Sequence, residues 1–412
     1  MTRRITRISI LLVAVAAATC NRPVSPATSA RTYAAGSWDE VVAAARGTTV
    51  IWRMWRGDPS INAYVDGWVA PRMRDQYGVT VEPVQGQGPE LVNTLATERE
   101  ALGGRAGTTS LIWINGETFG QLRGERLLDG PWAHALPNAR LVDASSPIVS
   151  RDFEQDPAGY ESPWGMVQFA LIYDAARMPA PPTSIPALAT WIKEHPGRFT
   201  HDQQFTGVTF LKTVMYALAG GVQAFQGGFD ENRYRDGRDR LFAWLAVVRP
   251  YFWRSGATYP PDVAAMHRLF ANGEIDFTMS NNQNEVVTKV RQKVLPPESR
   301  ALLLEEGTIA NTHYVGIPFN APNAAGAMVL ANFLLSPEAQ LEKQRGDVWG
   351  DGTVLDVAKL AAPWPSRFDE VADDAASLPR ELLEARARPE VHPLYHSRLL
   401  EDWRGTIRRA AP

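Results

Sequence analysis

Cysteine is almost absent from this sequence of 412 residues, since Cys20 is its only example. A chain with one cysteine forms no internal disulfide, so its stability must come from the packing of a hydrophobic core. The sequence also lacks a large excess of charge of one sign, because it has 42 basic and 45 acidic residues and a formal net charge of −3. Such a balance gives no basic face of the kind that binds nucleic acid. We therefore expect a globular protein that does not act on DNA or RNA.

Long hydrophobic runs are missing after residue 20, where no stretch of about 18 consecutive apolar residues occurs. The one notable run, residues 8–18, is too short to cross a bilayer and follows three arginines within the first seven residues. Small residues come next, which completes the pattern of a secretory signal peptide at residues 1–19. The sequence thus predicts an exported, soluble protein, located in the periplasm or held at the outer face of a bacterial membrane.

Cys20 stands directly after this predicted signal peptide. Its position resembles that of the acylated cysteine in bacterial lipoproteins, although Ala-Ala-Thr at 17–19 departs from the usual Leu-Ala-Gly. Cys20 is therefore our candidate for lipidation; the alternative is cleavage near Ala18 or Ala30, which leaves Cys20 without a role. Residues 20–46 begin rich in Pro, Ser, Thr and Ala, and are predicted to form a flexible tether followed by a short helix.

The length exceeds what one hydrophobic core usually supports, so two lobes are expected. In the first lobe, strand–loop–helix patterns begin at residues 48–55, 79–84 and 109–114, about 30 residues apart. This repeat predicts a parallel, doubly wound sheet, in which ligands meet the loops at the carboxyl ends of the strands. Those loops carry Trp55, Arg56, Asp58, Gln85, Gln87, Asn115 and Glu117.

Residues 161–174 predict the crossing from the first lobe to the second. The segment opens with the bend Ser-Pro-Trp-Gly and continues as a dense apolar run from residue 166 to 173. We expect a buried strand there, with Trp164 and Gln168 facing the cleft between the lobes. The alternative is an ordinary core strand in which Trp164 only packs.

The second lobe is predicted to be mixed α/β as well. Residues 198–201 and 273–280 have strand patterns, and the latter ends in the amide cluster Asn281, Asn282, Gln283 and Asn284. Thr206 precedes an apolar helix, whose first turn could bind an anion through its backbone N–H groups. Residues 312–320, which include Tyr314, predict a strand that returns to the first lobe.

The order of these segments resembles that of the extracellular solute-binding proteins of ABC importers. The resemblance is carried by LFANGEIDFTMS at 269–280 and by HYVGIPFN at 313–320, followed by SPEAQ at 336–340. Four further segments are similar to the YnjB-type subgroup: residues 52–62, LIWINGE at 111–117, ESPWG at 161–165 and WGDGTVLD at 349–356. The resemblance spans roughly residues 47–400; each motif alone is weak, and their order and spacing make it specific.

The resemblance implies a two-lobed, type II periplasmic-binding α/β fold. Each lobe would be a mostly parallel sheet flanked by helices, with hinge crossovers between the lobes. It places residues 47–165 and 312–335 in the first lobe, and 166–311 and 336–412 in the second. The implied function is to carry a solute to a membrane permease of the ABC type, with no catalysis, no cofactor and a monomeric state.

The predicted cargo is a small polar organic solute, of which a thiamine-like or polyamine-like cation is one possibility. Tryptophan rings could form an aromatic wall for such a cation, acids could supply counter-charge, and amides can both donate and accept hydrogen bonds. Simpler roles compete with these: Asp58 as a turn residue, Glu117 as a first-turn acid and Trp113 as core. The full set of candidate ligand-binding residues is Trp55, Arg56, Asp58, Asn115, Glu117, Trp164, Gln168, Thr206, Asn281, Asn282, Gln283 and Tyr314.

Metal binding and catalysis are the alternatives to solute transport. No metal is predicted, because Pro393 disturbs the spacing of His392 and His396, and the adjacent tyrosine pair of ferric-iron carriers of related fold does not occur. The sequence contains no Gly-x-Ser-x-Gly, His-Glu-x-x-His or Walker motif. An exported hydrolase with a carboxylate pair in the cleft, or a chemosensory binding protein of the same fold, remain the rival interpretations.

Overall fold

The computed structural model describes residues 28–372 and 378–410. Cys20 and the predicted signal peptide lie outside the described residues, as do residues 21–27 of the predicted tether. The rest of that tether is not without structure, since Ala30–Ala34 form a short helix. Within the described residues the chain forms helices α1 Ala30–Ala34, α2 Trp38–Ala45, α3 Pro59–Tyr64, α4 Ala70–Arg72, α5 Gly88–Leu102, α6 Gly116–Gly124, α7 Pro147–Ser150, α8 Ile185–Glu194, α9 Phe205–Leu218, α10 Glu231–Val248, α11 Val263–Ala271, α12 Glu285–Arg291, α13 Ala324–Leu334, α14 Pro337–Gln344, α15 Trp364–Ala372, α16 Arg380–Arg386 and α17 Pro393–Ala410.

The described strands are β1 Thr49–Met54, β2 Thr80–Gln85, β3 Leu111–Ile114, β4 Glu161–Gln168, β5 Ala170–Asp174, β6 Phe277–Ser280, β7 Ser299–Leu302, β8 Thr308–Gly316 and β9 Ala387–Pro389. The first sheet has the order β2-β1-β3-β8-β4, and β9 pairs with β8. Strand β1 is parallel to both β2 and β3, whereas β8 runs antiparallel to β3 and β4. The predicted parallel repeat in the first lobe is confirmed.

Local sequence signals explain where several helices begin. Ser37 accepts a hydrogen bond from Glu40 N–H, and the Glu40 carboxylate accepts one from Ser37 N–H, which forms a capping box at the start of α2. Proline occupies the first turn of α5 and of α8, where its missing N–H has no cost. These helix starts agree with the pattern of the sequence.

The second sheet differs from the prediction. It has three strands in the order β6-β5-β7, and both pairings are antiparallel. The expected mostly parallel sheet in this lobe is therefore wrong, although the two-lobed α/β class is confirmed. Residues 198–201 are not a strand: Arg198 O accepts a hydrogen bond from Asp276 N–H and Phe199 O accepts one from Trp253 N–H, but these four described residues form no strand ladder.

The two sheets are joined through a single residue, Phe169. Strand β4 ends in the first sheet at Gln168, and β5 begins in the second sheet at Ala170. Phe169 N–H donates to Ile309 O of β8, which is the strand that returns to the first sheet. The predicted crossing and return are confirmed, and together they form the described connection between the lobes.

Each lobe has its own hydrophobic core. The first lobe packs on both faces of the first sheet, around Trp52, Trp164 and Val315 on one face and Phe119 and Tyr314 on the other. The second lobe packs around the second sheet and helices that include α9, α10 and α17. Polar side chains of the two lobes can therefore meet at the surfaces that lie between the two cores.

Residues after Ser336 correct the predicted lobe limits. We assigned residues 336–412 to the second lobe, but Leu341, Trp349 and Phe368 pack into the core of the first lobe. Side chains between Leu378 and Trp403 pack into the core of the second lobe again. Polar contacts with strand β4 add to the first-lobe packing: Gln340 Nε2 donates to Trp164 O at 2.8 Å, and Gly352 N–H donates to Met166 O at 2.9 Å.

Candidate functional site

The loop after β1 reaches across to the second lobe. Asp58 accepts a hydrogen bond from Ser60 N–H at 2.7 Å, so it begins α3 as the turn interpretation predicted. The other carboxylate oxygen of Asp58 lies 2.6 Å from Lys289 Nζ on α12 of the second lobe. Nearby, Gln292 Nε2 donates to Ser60 Oγ at 2.9 Å. Asp58 thus has a local role and an interlobe role at once.

Lys289 is the centre of a buried charged network. Its side chain is 9% exposed and also lies 3.7 Å from Glu285 Oε1. Burial works against the ammonium charge, yet Glu285 and Asp58 raise the pKa of Lys289 above its usual value. Burial also opposes the charge of Glu285, but His267 and Lys289 lower its pKa to about 2. Both shifts favour the charged forms, so Lys289 and Glu285 are ionised at neutral pH.

The loop after β3 makes a second contact between the lobes. Glu117, in the first turn of α6, accepts a hydrogen bond from Ser397 Oγ of α17 at 3.1 Å. The Nε2 atom of His396 lies 3.8 Å from the same carboxylate. Burial lowers the pKa of His396 well below its usual value, so this imidazole is neutral at neutral pH. Asn115 lies beside Glu117 at the beginning of α6.

The predicted amide cluster lies at the junction of the lobes. Gln283 Oε1 accepts a hydrogen bond from Gln168 N–H at 2.8 Å, and Asn281 Nδ2 donates to Thr206 Oγ1 at 3.0 Å. Asn282 Oδ1 accepts one from Asn284 N–H. The structure therefore brings Gln168, Thr206 and the amides together, although they bond mainly to one another.

Three predicted contacts are more deeply buried than we expected. Trp164 has no exposed surface and packs edge-on against Trp52 and Trp113, with ring centres 5.2 and 4.8 Å away. Tyr314 is equally buried and donates its hydroxyl to Val149 O at 2.8 Å. Gln168 is 5% exposed, and its side-chain amide lies 3.1 Å from Thr308 Oγ1. Trp164 is therefore part of the first core, in agreement with the alternative interpretation of this strand, whereas Gln168 lies at the junction with the second lobe beside Gln283. Contact of Gln168 with a solute stays a prediction.

Trp55 and Arg56 remain in the first lobe. Trp55 is half-buried against the first core, and Arg56 pairs with Asp66 at 2.7 Å within the same lobe. The Arg56 N–H donates to Gln85 Oε1 at 2.9 Å, which ties the loops after β1 and β2 together. Both residues lie beside Asp58, so a role in solute contact stays a prediction.

A cavity of about 230 Å³ lies between the lobes, next to strand β8. This volume is below the usual range for pockets that hold drug-sized ligands, which suits a small solute. Its walls come from the first lobe, from β8 and from the second lobe: Pro147, Ile148, Arg151, Phe153, Glu154, Gln226, Ala310, Asn311, Thr312, Pro389 and Glu390. None of these was a sequence candidate.

Lys212 and Glu390 form a buried ion pair at the second-lobe wall of this cavity. The ammonium lies 2.6 Å from both carboxylate oxygens, and the two side chains are 0% and 4% exposed. Burial raises the pKa of Glu390, and Lys212 opposes that rise. The Lys212 Nζ atom also lies 5.1 Å from the Phe153 ring of the first lobe. The pair therefore presents a fixed dipole to the interface.

Two carboxylates lie behind Phe153 in the first lobe. Asp152 is 1% and Glu161 2% exposed, and among the described residues none donates to their oxygens within hydrogen-bond geometry. Burial raises the pKa of Asp152, with Glu390 adding to the effect; burial and Asp152 raise that of Glu161. A proton shared between the two carboxylates would lower the cost of burying them.

Two further findings concern the described residues alone. Between residues 28 and 410, outside the gap at 373–377, no helix combines the length and the apolar character needed to cross a membrane. Over the same residues, no three His, Cys, Asp or Glu side chains converge in a manner suited to a metal ion.

Comparison with known proteins supports a transport role. The family model described as bacterial extracellular solute-binding protein matches residues 68–373. The chain is 37% identical to the protein YnjB of Escherichia coli (strain K12) over 329 residues, which is 79% of this chain and 84% of that protein. This relative agrees with the subgroup that the sequence motifs resemble.

Solved structures agree in fold at low sequence identity. An ABC transporter structure from Clostridium perfringens ATCC 13124 superposes with a TM-score of 0.60 at 15% identity, and covers 88% of this chain and 100% of its own. The periplasmic binding protein AfuA from Actinobacillus pleuropneumoniae gives 0.58 at 14% identity, over 87% and 98%. The family match and the YnjB relative show that the chain belongs to the bacterial extracellular solute-binding proteins, and the solved structures show that it shares the fold of ABC-transporter binding proteins.

Proposed function

We propose that this protein captures a small polar organic solute between its lobes, and that the solute is a cation of thiamine-like or polyamine-like chemistry. It then delivers the solute to a permease as a monomer, without chemical conversion. One observation carries the proposal: the cavity of about 230 Å³ is bounded by both lobes and by strand β8. A ligand in that place is enclosed by closure and released by opening, which is how a two-lobed carrier couples binding to conformation.

Charge around the cavity favours a cation. The shell formed by its lining and the side chains directly behind it contains the acids Asp152, Glu154, Glu161 and Glu390. Two basic residues oppose them, Arg151 in the lining and Lys212 behind it. Burial raises the pKa of Asp152 and Glu161 and so favours their protonated forms, which leaves Glu154 and Glu390 to balance the two basic residues. A positively charged solute in the cavity would lower these two pKa values and gain ionised carboxylates as partners, whereas an anion would gain none. The AfuA neighbour was solved with fructose-6-phosphate bound, so the shared fold alone does not fix the class of solute.

The residues chosen from the sequence form the second part of the proposed site. Asp58 and Glu117 each contact the second lobe, while Thr206 and Asn281 bond to each other within it. Trp55, Arg56, Asn115, Asn282 and Gln283 are their neighbours, and their contact with solute stays a prediction. We further propose that the predicted signal peptide is removed and that Cys20 carries a lipid anchor.

The rival hydrolase would need two carboxylates that face each other across the cleft. Glu154 and Glu390 do line one cavity from different lobes. However, Glu154 accepts two backbone hydrogen bonds and Glu390 holds Lys212, so both are already engaged. Engaged carboxylates favour binding over acid–base catalysis.

The test is a thermal-shift screen of the purified protein. The panel contains thiamine and its phosphates, putrescine, spermidine, quaternary amines, amino acids, sugars and phosphonates. A solute present at 100 times its Kd stabilises the folded state by about 2.7 kcal/mol, so a binding cation raises the Tm clearly. The variant Glu117→Gln should weaken that shift, whereas Glu100→Gln, exposed on α5, should keep it.

Two results would contradict the proposal. A rise in Tm with sugars or phosphonates alone would exclude a cation as the solute, because carboxyl groups around the cavity would not explain the binding of such compounds. Chromatography of the same mixtures shows whether a compound that binds is also consumed. Consumption would favour the hydrolase over the carrier as the function of this protein.

A further inference from the structure

A tight turn of the first lobe, Asp152–Gln155, reaches into the second lobe. Asp152 N–H donates to Gln155 O at 3.0 Å, and Gln155 N–H donates to Asp152 O at 2.9 Å. The two residues between them, Phe153 and Glu154, have φ angles of 48° and 62°. Positive φ at both central positions is the pattern of a type I′ turn, which Asn and Gly adopt far more readily than Phe or Glu.

Both strained residues contact the second lobe. The Glu154 carboxylate accepts hydrogen bonds from Gly227 N–H at 3.1 Å and from Gly228 N–H at 3.2 Å. These two glycines have φ angles of 88° and 89°, a conformation that directs successive N–H groups to one side. Phe153 is 1% exposed and lies over the Lys212 ammonium.

The first lobe holds the base of the turn firmly. Gln155 Nε2 donates to Gly116 O at 2.7 Å, at the beginning of α6. A Cβ atom at Gly116 would come within 2.4 Å of Phe153, so the glycine allows the close approach. The strained turn is therefore anchored in one lobe while its tip is bound by the other. Strain of this kind persists where the side chains serve a function that the relaxed turn would lose.

We propose that Glu154 is an affinity-determining residue that acts through lobe closure, because its carboxylate is bound by Gly227 and Gly228 only when the lobes are together. We call the Asp152–Gln155 turn with these two glycines the closure latch. The inference rests on the proposed function, since closure matters only if a solute is enclosed. Opening the lobes separates the carboxylate from both N–H groups, so the latch favours the closed form without needing to touch the solute.

The sharpest variant is Glu154→Asn. Asparagine tolerates positive φ better than glutamate, so the turn is kept, but its shorter side chain does not reach Gly227 and Gly228. Two hydrogen bonds to a charged acceptor are lost, which should lower the ratio of closed to open molecules by about tenfold or more. Glu154→Gln, which keeps an acceptor of the same length, should have a smaller effect. Asp156→Asn is the matched control, since Asp156 is exposed and its described contacts lie within its own segment, through Ala158 N–H and a solvent-exposed pair with Arg151 at 4.0 Å.

Two measurements on the protein with Cys20→Ser test the latch without any solute. Spin labels at positions 100 and 194, exposed on α5 and α8, report the distance between the lobes. Hydrogen exchange of a peptide that contains Gly227 and Gly228 reports the two N–H groups directly. Glu154→Asn should shift the distance distribution and speed that exchange.

The latch is overturned if Glu154→Asn leaves both the distance distribution and the exchange rate as they are in the Asp156→Asn control. A fall in Tm would follow either from the loss of these two hydrogen bonds or from an asparagine turn that has not formed, so it is not used as the criterion. The same two readouts on Glu154→Gly, which adopts positive φ at no steric cost, then decide the matter. Because neither readout involves a solute, failure of the ligand screen and failure of the latch are separate outcomes.

Discussion

The ion pair between Asp58 and Lys289 gives the most quantitative prediction. We expect Lys289→Met, which keeps the length of the side chain and removes its charge, to weaken the contact between the lobes. At 2.6 Å and an effective dielectric constant of about 20, the Coulomb attraction is about 6 kcal/mol. Desolvation of the two ions cancels part of that gain. Removing one partner of a buried pair typically costs about 3–5 kcal/mol, because the other charge is left buried.

Two features of the site place this variant within that range. Asp58 and Lys289 are only 14% and 9% exposed, so solvent and salt screen the pair weakly. Loss of Lys289 also leaves Glu285 near Asp58 with no ammonium between the two acids. The double variant Asp58→Asn with Lys289→Met should recover at least about 2 kcal/mol, since residues in one network are strongly coupled.

Urea denaturation followed by tryptophan fluorescence at pH 7 measures these free energies of unfolding. Lys193→Met, exposed on α8, is the matched control. The reasoning is refuted if the free energy of unfolding of Lys289→Met lies within about 1 kcal/mol of that of the control, because a loss that small is typical of an exposed ion pair. It is equally refuted if the double variant is no more stable than Lys289→Met, because the loss would then not arise from a stranded carboxylate.

The remaining predictions concern the first lobe. Trp164→Ala should lower the free energy of unfolding by about 3–5 kcal/mol, as expected for a fully buried tryptophan. The Kd for any solute found in the screen should not change. Weaker solute binding at unchanged stability would contradict this and show that Trp164 contacts the solute. Glu161→Gln should stabilise the protein as pH rises. Burial and Asp152 raise the pKa of this carboxyl in the folded state, so its stabilising protonation is complete below the unfolded value near 4.5 and is lost on passing the raised pKa. The Tm gain over wild type should be near zero at pH 4 and correspond to about 1–3 kcal/mol at pH 8, and a gain that does not change with pH would contradict this account.

The fold was largely predictable because turn residues and apolar runs mark where each element begins and ends. The strand patterns at 48–55, 79–84 and 109–114 became β1, β2 and β3 in a parallel arrangement. Strand direction in the second lobe was not predictable, because β5, β6 and β7 are separated by long helical segments and the apolar pattern contains no sign of direction. The lobe of residues 336–372 was not predictable either, because it is set by tertiary contacts such as those of Leu341 and Trp349 with the first core and of Gln340 with Trp164.

Site residues that directly follow a strand could be predicted from the sequence, whereas a residue inside an unusual turn could not. Asp58 and Glu117 were found because they follow β1 and β3, and both do contact the second lobe. Glu154 was missed because Phe-Glu has none of the Asn-Gly character that marks a type I′ turn. Lys289 was missed because a lysine in the middle of a short helix usually faces water.

The single residue between β4 and β5 restricts how this protein can change in length during evolution. Side chains alternate between the two faces of a strand, so one residue inserted or deleted beside Phe169 would turn the following side chains of β5 to the wrong face. Such a change would expose apolar side chains from the second core and unpair Ile172 from its neighbours on both sides. Insertions should therefore accumulate in surface loops, while the junction at Phe169 keeps its length.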